Sequence, residues 1–144
     1  MIMFMGTYEH GLDAKGRVIV PAKLREDLGE SFVVTLGLDG CLFAYPMSEW
    51  EKFIDKLKEL PGTKEARVLQ RHFMAKAAPC EVDKQGRTLL PAKLREYAGL
   101  EKEIVFVGVL SKIEIWSKKR WEDNDDYDNI EDIAEDMSQF GLSF

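Results

Sequence analysis

A chain of 144 residues, 45% hydrophobic and 10% aromatic, is long enough to bury a core and too apolar for a disordered chain. No run approaches the roughly 18 uncharged apolar residues of a membrane span, the start MIMFMGTYEH lacks the charged n-region and cleavage pattern of a secretory leader, and two cysteines, Cys41 and Cys80, make no disulfide framework and are expected as buried, reduced thiols. The net charge of −6 hides an asymmetry. Glu122, Asp123, Asp125, Asp126, Asp128, Glu131, Asp132, Glu135 and Asp136 stand after Trp121 with no basic residue among them, and the rest of the chain sets 20 basic against 17 acidic residues. A body at +3 keeps a nucleic-acid partner open, although charge alone favours a solvated acidic helix.

In chain order, TYEHGLD predicts a short strand running into an Asp-x-x-Gly turn, Asp13 to Gly16. Asp suits the first position because its side chain can accept from backbone N–H groups ahead of it, and Gly16 suits a left-handed exit. RVIV follows as a strand, and Pro21 opens a short helix, PAKLRE, that ends near Gly29 and docks through Leu24 and Leu28. Two more strands are expected near Ser31–Leu36 and Cys41–Tyr45. SEWE, at Ser48–Glu51, has the pattern of a capping box, and Trp50, Phe53, Ile54 and Leu57 form one apolar helix face that Pro61-Gly62 ends. A second linking helix, Thr63 to about Ala77, places Ala66, Leu69, Phe73 and Ala77 at helical spacing and leaves His72 on a charged face, where solvent is expected.

Then the order restarts. AAPCEVD, the turn Asp83 to Gly86, RTLL, a helix from Pro91 to Gly99, and strands near Glu103–Val107 and Ile113–Trp116 repeat the first series. At an offset of 70, Asp13–Gly29 and Asp83–Gly99 agree at ten of seventeen positions. With one added residue, Gly37 meets Gly108, Tyr45 meets Trp116 and Trp50 meets Trp121. The chain is two copies of one unit, residues 1–60 and 61–121, followed by the acidic tail 122–144, where Ile130, Ile133, Ala134 and Met137 predict a helix that docks in part. A unit of about 50 residues is hard to stabilise alone. Two copies can pair their strand edges and fold as one structural domain.

Each copy gathers cations within one turn and one helix: Lys15, Arg17, Lys23 and Arg25, then Lys84, Arg87, Lys93 and Arg95. Such groups neutralise phosphates, and arginine can also bond guanine O6 and N7 in the major groove. Arg17 and Arg87 leave the glycine turns with Asp13 and Asp83 near enough to orient them. Spacing alone leaves open whether each Asp–Arg pair presents a cation or only braces a turn. His10 and His72 have no metal-ligand spacing, and neither a nucleophile elbow nor a phosphate-cradling loop occurs. No catalytic residue, metal, cofactor or small-molecule substrate is expected.

The pattern D-x-x-G-R-x-x-x-P-x-x-L-R resembles the AbrB-type swapped-hairpin DNA-binding domain, and two copies with MGTYEH ahead resemble the MraZ family over residues 3–121. The resemblance implies an α+β, β-rich fold in which two tandem AbrB-like repeats form a pseudo-twofold swapped-hairpin β-barrel with linking and C-terminal helices. It implies a cytoplasmic, nucleoid-associated transcriptional regulator that binds double-stranded DNA sequence-specifically. The implied targets are tandem boxes upstream of the division and cell-wall gene cluster containing its own gene, and the implied assembly is a homo-oligomeric ring. It favours DNA contact by Arg17 and Arg87, with Lys15, Lys84, Lys23, Lys93, Arg25 and Arg95 as phosphate contacts or support, and with Asp13, Gly16, Asp83 and Gly86 shaping the turns. Glu26 and Glu96 stand where single-repeat relatives often carry a basic residue, and Gln85 stands opposite Lys15, so the first copy is expected to contribute more. The alternative is an antitoxin-like AbrB module that binds a protein partner as well as DNA.

Overall fold

The computed structural model describes residues 2–124 and 129–143, so Asp125, Asp126 and Asp128 of the acidic tail lie outside the described residues. The first copy gives β1 (Thr7–Gly11), β2 (Arg17–Ile19), α1 (Ala22–Leu28), β3 (Ser31–Leu36) and β4 (Leu42–Pro46). Two linking helices follow, α2 (Met47–Lys58) and α3 (Lys64–Met74). The second copy gives β5 (Ala78–Glu81), β6 (Arg87–Leu89), α4 (Ala92–Ala98), β7 (Glu103–Val109) and β8 (Lys112–Ser117), followed by α5 (Lys118–Asp123) and α6 (Ile130–Met137). The architecture is α+β, with antiparallel pairing throughout the strands described.

The copies exchange strands. The first strand of each copy pairs with the third strand of the other, β1 with β7 and β5 with β3, giving a six-stranded sheet in the order β1-β7-β8-β4-β3-β5. β2 and β6 pair with each other as a separate two-stranded ribbon. Both central pairings are self-symmetric. Phe43 stands opposite Glu114, flanked by Leu42–Ile115 and Ala44–Ile113, and Val18 stands opposite Thr88, flanked by Arg17–Leu89 and Ile19–Arg87. An intrachain pseudo-twofold therefore passes through both pairs. Of the two prolines within strands, Pro46 is the last residue of β4 and Pro79 sits in edge strand β5, where a missing N–H costs no ladder bond.

β3 and β4 read as near-continuous apolar runs because the six-stranded sheet is covered on both faces. Phe32, Val34, Leu42, Ala44, Ile104, Phe106, Ile113 and Ile115 face the ribbon and the short helices, packing with Val18, Val20, Leu24, Leu90 and Leu94. Val33, Phe43, Tyr45, Val105 and Trp116 face the other way and pack with Trp50, Leu57 and Phe73 of α2 and α3. Complete burial of an aliphatic side chain such as Ile104 or Ile115 stabilises by about 1.5–3 kcal/mol. The Tyr45–Trp50 and Trp116–Trp121 pairs recur with ring centroids 5.6 Å apart in both copies.

Several local expectations fail for tertiary reasons. Helix α2 starts at Met47 with Pro46 as its cap, so Ser48 lies inside the first turn and makes no capping bond. Thr63 does cap α3, its hydroxyl accepting from Ala66 N at 3.2 Å. Ala66 and Phe73 are buried, but Leu69 is 42% exposed, because the second sheet face reaches only part of α3. His72 is half-buried, 2.7 Å from the Gly37 carbonyl oxygen and edge-on to Phe73 and Tyr97. Gly37 and Gly108 are not equivalent: Gly108 opposes Ile113 as Leu36 opposes Leu42, because two residues are inserted before β7 and one is removed in the following turn. Gly108 instead admits the Met5 backbone, which a Cβ would strike. In α6, Ile130, Ile133 and Met137 are exposed, so this apolar stripe does not join the core. Among the described residues no helix is long and apolar enough to cross a membrane.

Candidate nucleic-acid interface

Each Asp-x-x-Gly turn is built by its own aspartate. Asp13 Oδ1 accepts from Lys15 N and Arg17 N, both at 2.9 Å, and Oδ2 accepts from Arg17 Nε at 2.8 Å. Asp83 repeats this with Gln85 N and Arg87 N at 2.9 Å and Arg87 Nε at 3.0 Å. The backbone N–H of Arg17, bonded to the carboxylate, does most to hold the Asp13 carboxyl below the usual aspartate range, with further help from the guanidinium; Arg87 acts likewise on Asp83. Gly16 and Gly86 close the turns at φ of +86° and +80°, where an L side chain is strained.

The Asp–Arg pair leaves part of each guanidinium unengaged. Only Nε of each arginine is engaged, so both Nη groups of Arg17 and Arg87 have no hydrogen-bond partner among the described residues. Those two groups form the fork that can bond O6 and N7 of one guanine. The ribbon puts both forks on a single surface. Arg17 and Arg87 are diagonal neighbours across the strand pair, with Cα atoms on the order of 7–8 Å apart. Lys15 and Lys84 are exposed in the two turns, and Lys23 and Lys93 are exposed on α1 and α4.

Arg25 and Arg95 are placed differently. Both are half-buried, and each lies on the other copy's turn. Arg25 Nη2 donates to Val20 O at 2.7 Å while its guanidinium covers Gly86, where a Cβ would come within 2.6–2.8 Å of three guanidinium atoms. Arg95 Nε donates to Leu90 O at 2.8 Å and covers Gly16 in the same way. The backbone joins the copies at the same place, Val20 N donating to Gly86 O and Leu90 N to Gly16 O. The two arginines therefore lock the turns against the ribbon's ends.

One structural residue has no signature in the sequence. Arg120 of α5 donates through Nη1 to the carbonyls of Gly40, at 3.0 Å, and Tyr97, at 2.8 Å, tying the β3–β4 turn to the end of α4. Its partners lie 80 and 23 residues away, beyond any local pattern.

Comparison with known proteins decides the family. The family model for the MraZ protein, described as antitoxin-like, matches residues 3–72 and then 73–141. The chain belongs to the MraZ family. Among MraZ-family relatives, the transcriptional regulator MraZ of Lachnoclostridium phytofermentans is 70% identical over 142 residues, covering 99% of this chain and all of the relative. The proteins of the same name from Clostridium beijerinckii and Caldanaerobacter subterraneus are 56% and 53% identical, each over 97% of this chain and the whole of the relative. The tandem organisation of the MraZ family is the doubled architecture built by strand exchange here.

Proposed function

We propose that this chain is a sequence-specific, double-stranded-DNA-binding transcriptional regulator that contacts DNA through the β2–β6 ribbon and its two turns. The observation that carries this reading is the pair of Asp-oriented arginines on one exposed ribbon, each with a guanidinium fork that has no partner among the described residues. Arg17 and Arg87 contact bases, Lys15, Lys84, Lys23 and Lys93 contact phosphates, and Arg25 and Arg95 support the turns. The names of the curated relatives support transcriptional regulation. Family membership supports tandem boxes upstream of the division and cell-wall gene cluster containing its own gene as the target, with the protein associated with the nucleoid in the cytoplasm. The exchanged strands support reading the ribbon and the large sheet as walls of a swapped-hairpin barrel, with repeats 1–60 and 61–121 folding as one domain.

Two cassettes per chain engage few phosphates, so joining several chains raises the effective concentration of further cassettes at neighbouring boxes. We place the ring's subunit contacts on the unrepeated helix α3, whose Val68, Leu69 and Met74 are exposed. A contact between unlike surfaces closes into a ring when the rotation allows. The test is footprinting on DNA upstream of the chain's own gene, at low and moderate salt, with particle mass measured in parallel. Protection of repeated boxes by an oligomer is expected. Wild-type affinity in the double variant Arg17→Ala, Arg87→Ala would refute the assignment of the arginines. A second reading, the antitoxin-like module, is favoured by the exposed apolar stripe of α6; a protein partner co-purifying in fixed ratio would support it.

A further inference from the structure

The ribbon presents more than its arginines. In β2, Val18 points inward and is 1% exposed, so Arg17 and Ile19 share the outer face; in β6, Thr88 points inward and Arg87 and Leu89 share that face. The register sets Arg17 beside Leu89 and Ile19 beside Arg87. The outer face is therefore a two-by-two checkerboard of arginine and aliphatic side chains, related by the pseudo-twofold. Ile19 is 43% exposed and Leu89 55%.

A solvent-facing position on a short antiparallel ribbon ordinarily carries a polar residue. Single exposed aliphatic residues are common and mean little. Here, however, two stand at equivalent positions in copies that differ at seven of seventeen cassette residues, and each lies directly across the ribbon from an arginine whose fork has no partner among the described residues. The ribbon is also narrow enough to enter a major groove about 12 Å wide. In that groove the one large apolar feature on a base edge is the thymine 5-methyl group.

We propose that Ile19 and Leu89 are specificity-determining residues that pack on thymine methyl groups beside the guanines bonded by Arg87 and Arg17. Cross-strand neighbours are roughly 4.5–5.5 Å apart at Cβ, and stacked bases are about 3.4 Å apart. Each arginine–aliphatic pair therefore spans one or two base steps, and the pseudo-twofold presents the same pair twice. This inference rests on the DNA-binding reading above and adds to it the chemistry of the second base.

The experiment separates the two. Duplexes are selected from a random pool by the full-length wild-type protein, and each thymine of the selected site is then replaced singly by uracil, which removes only the methyl group. Binding is followed by fluorescence anisotropy. Wild-type binding should fall about fourfold at one or two thymines near a preferred guanine, the effect of exposing one buried methyl. Ile19→Ala and Leu89→Ala should each lose that sensitivity at one position while retaining the guanine preference. If a sequence is selected but no uracil replacement alters wild-type binding, or if the alanine variants keep the wild-type thymine preference, the methyl contact is wrong and the DNA reading stands. If the wild-type protein selects no sequence at all, both fall.

Discussion

Gly86→Ala tests whether Arg25 is a brace between copies. At φ of +80° an added Cβ brings roughly 1–2 kcal/mol of backbone strain. It would also sit 2.6 Å from Arg25 Nη2 and 2.7 Å from Cζ, so the guanidinium must leave Gly86 and give up its bond to Val20 O. A bond from a charged donor contributes on the order of 1 kcal/mol or more. The sum is roughly 2–3 kcal/mol, and at about 3–4 °C per kcal/mol for a chain of this length the melting temperature should fall by roughly 6–12 °C. The assay is thermal denaturation at neutral pH followed by circular dichroism. Its control is a double-mutant cycle: in an Arg25→Ala background only the backbone strain remains, so Gly86→Ala should cost about 1 kcal/mol less there than in the wild type. Gly86→Ala within about 2 °C of wild type would refute the reasoning, as would strict additivity with Arg25→Ala.

Three further outcomes are expected. The Asp13 and Asp83 carboxyls are held below their ordinary range in the folded chain, so between the folded and unfolded values the unfolded state binds more protons and stability rises with pH; the contribution is complete above about pH 4 and lost as pH falls through the lowered values. Acid unfolding of the double variant Asp13→Asn, Asp83→Asn should lack that component, and an unchanged stability profile from pH 2 to 5 would count against it. Burial pushes the Cys41 thiol up to about 12 and the Cys80 thiol up to about 11, so neither should react with an aromatic disulfide reagent at pH 8 until denaturant is added; rapid titration of either thiol in the native protein would contradict their burial. Residues 1–60 expressed alone lack the β7 partner of β1, the β5 partner of β3 and the β6 partner of β2, and should be unfolded or pair with a second copy; a folded monomer by light scattering and circular dichroism would overturn the exchanged architecture.

What the sequence determined by itself is local. An aspartate two and four residues ahead of the N–H groups it accepts from, a glycine at the left-handed exit and a proline at the head of a seven-residue helix are read within one short window, and all recur in register. The same window locates Arg17 and Arg87 and places their carboxylates. Tertiary structure decided what that window cannot contain. Arg25 and Arg95 have the same composition signal as the exposed lysines, yet Arg25 lies across a turn 61 residues ahead at Gly86 and Arg95 across one 79 residues back at Gly16, because strand exchange brings the two turns to opposite ends of one ribbon. Ser48 and Leu69 fit helical patterns that α2 and α3 do not use, since the covered sheet face, and not the periodicity, sets where each helix begins and which side it buries. His72 is held by a carbonyl 35 residues distant. Ile19 and Leu89 look like ordinary strand residues until the β2–β6 register sets each beside an arginine of the other copy. Hydrogen bonds within four residues fix local conformation, whereas long-range pairing chooses neighbours, and in this chain the neighbours make the surface.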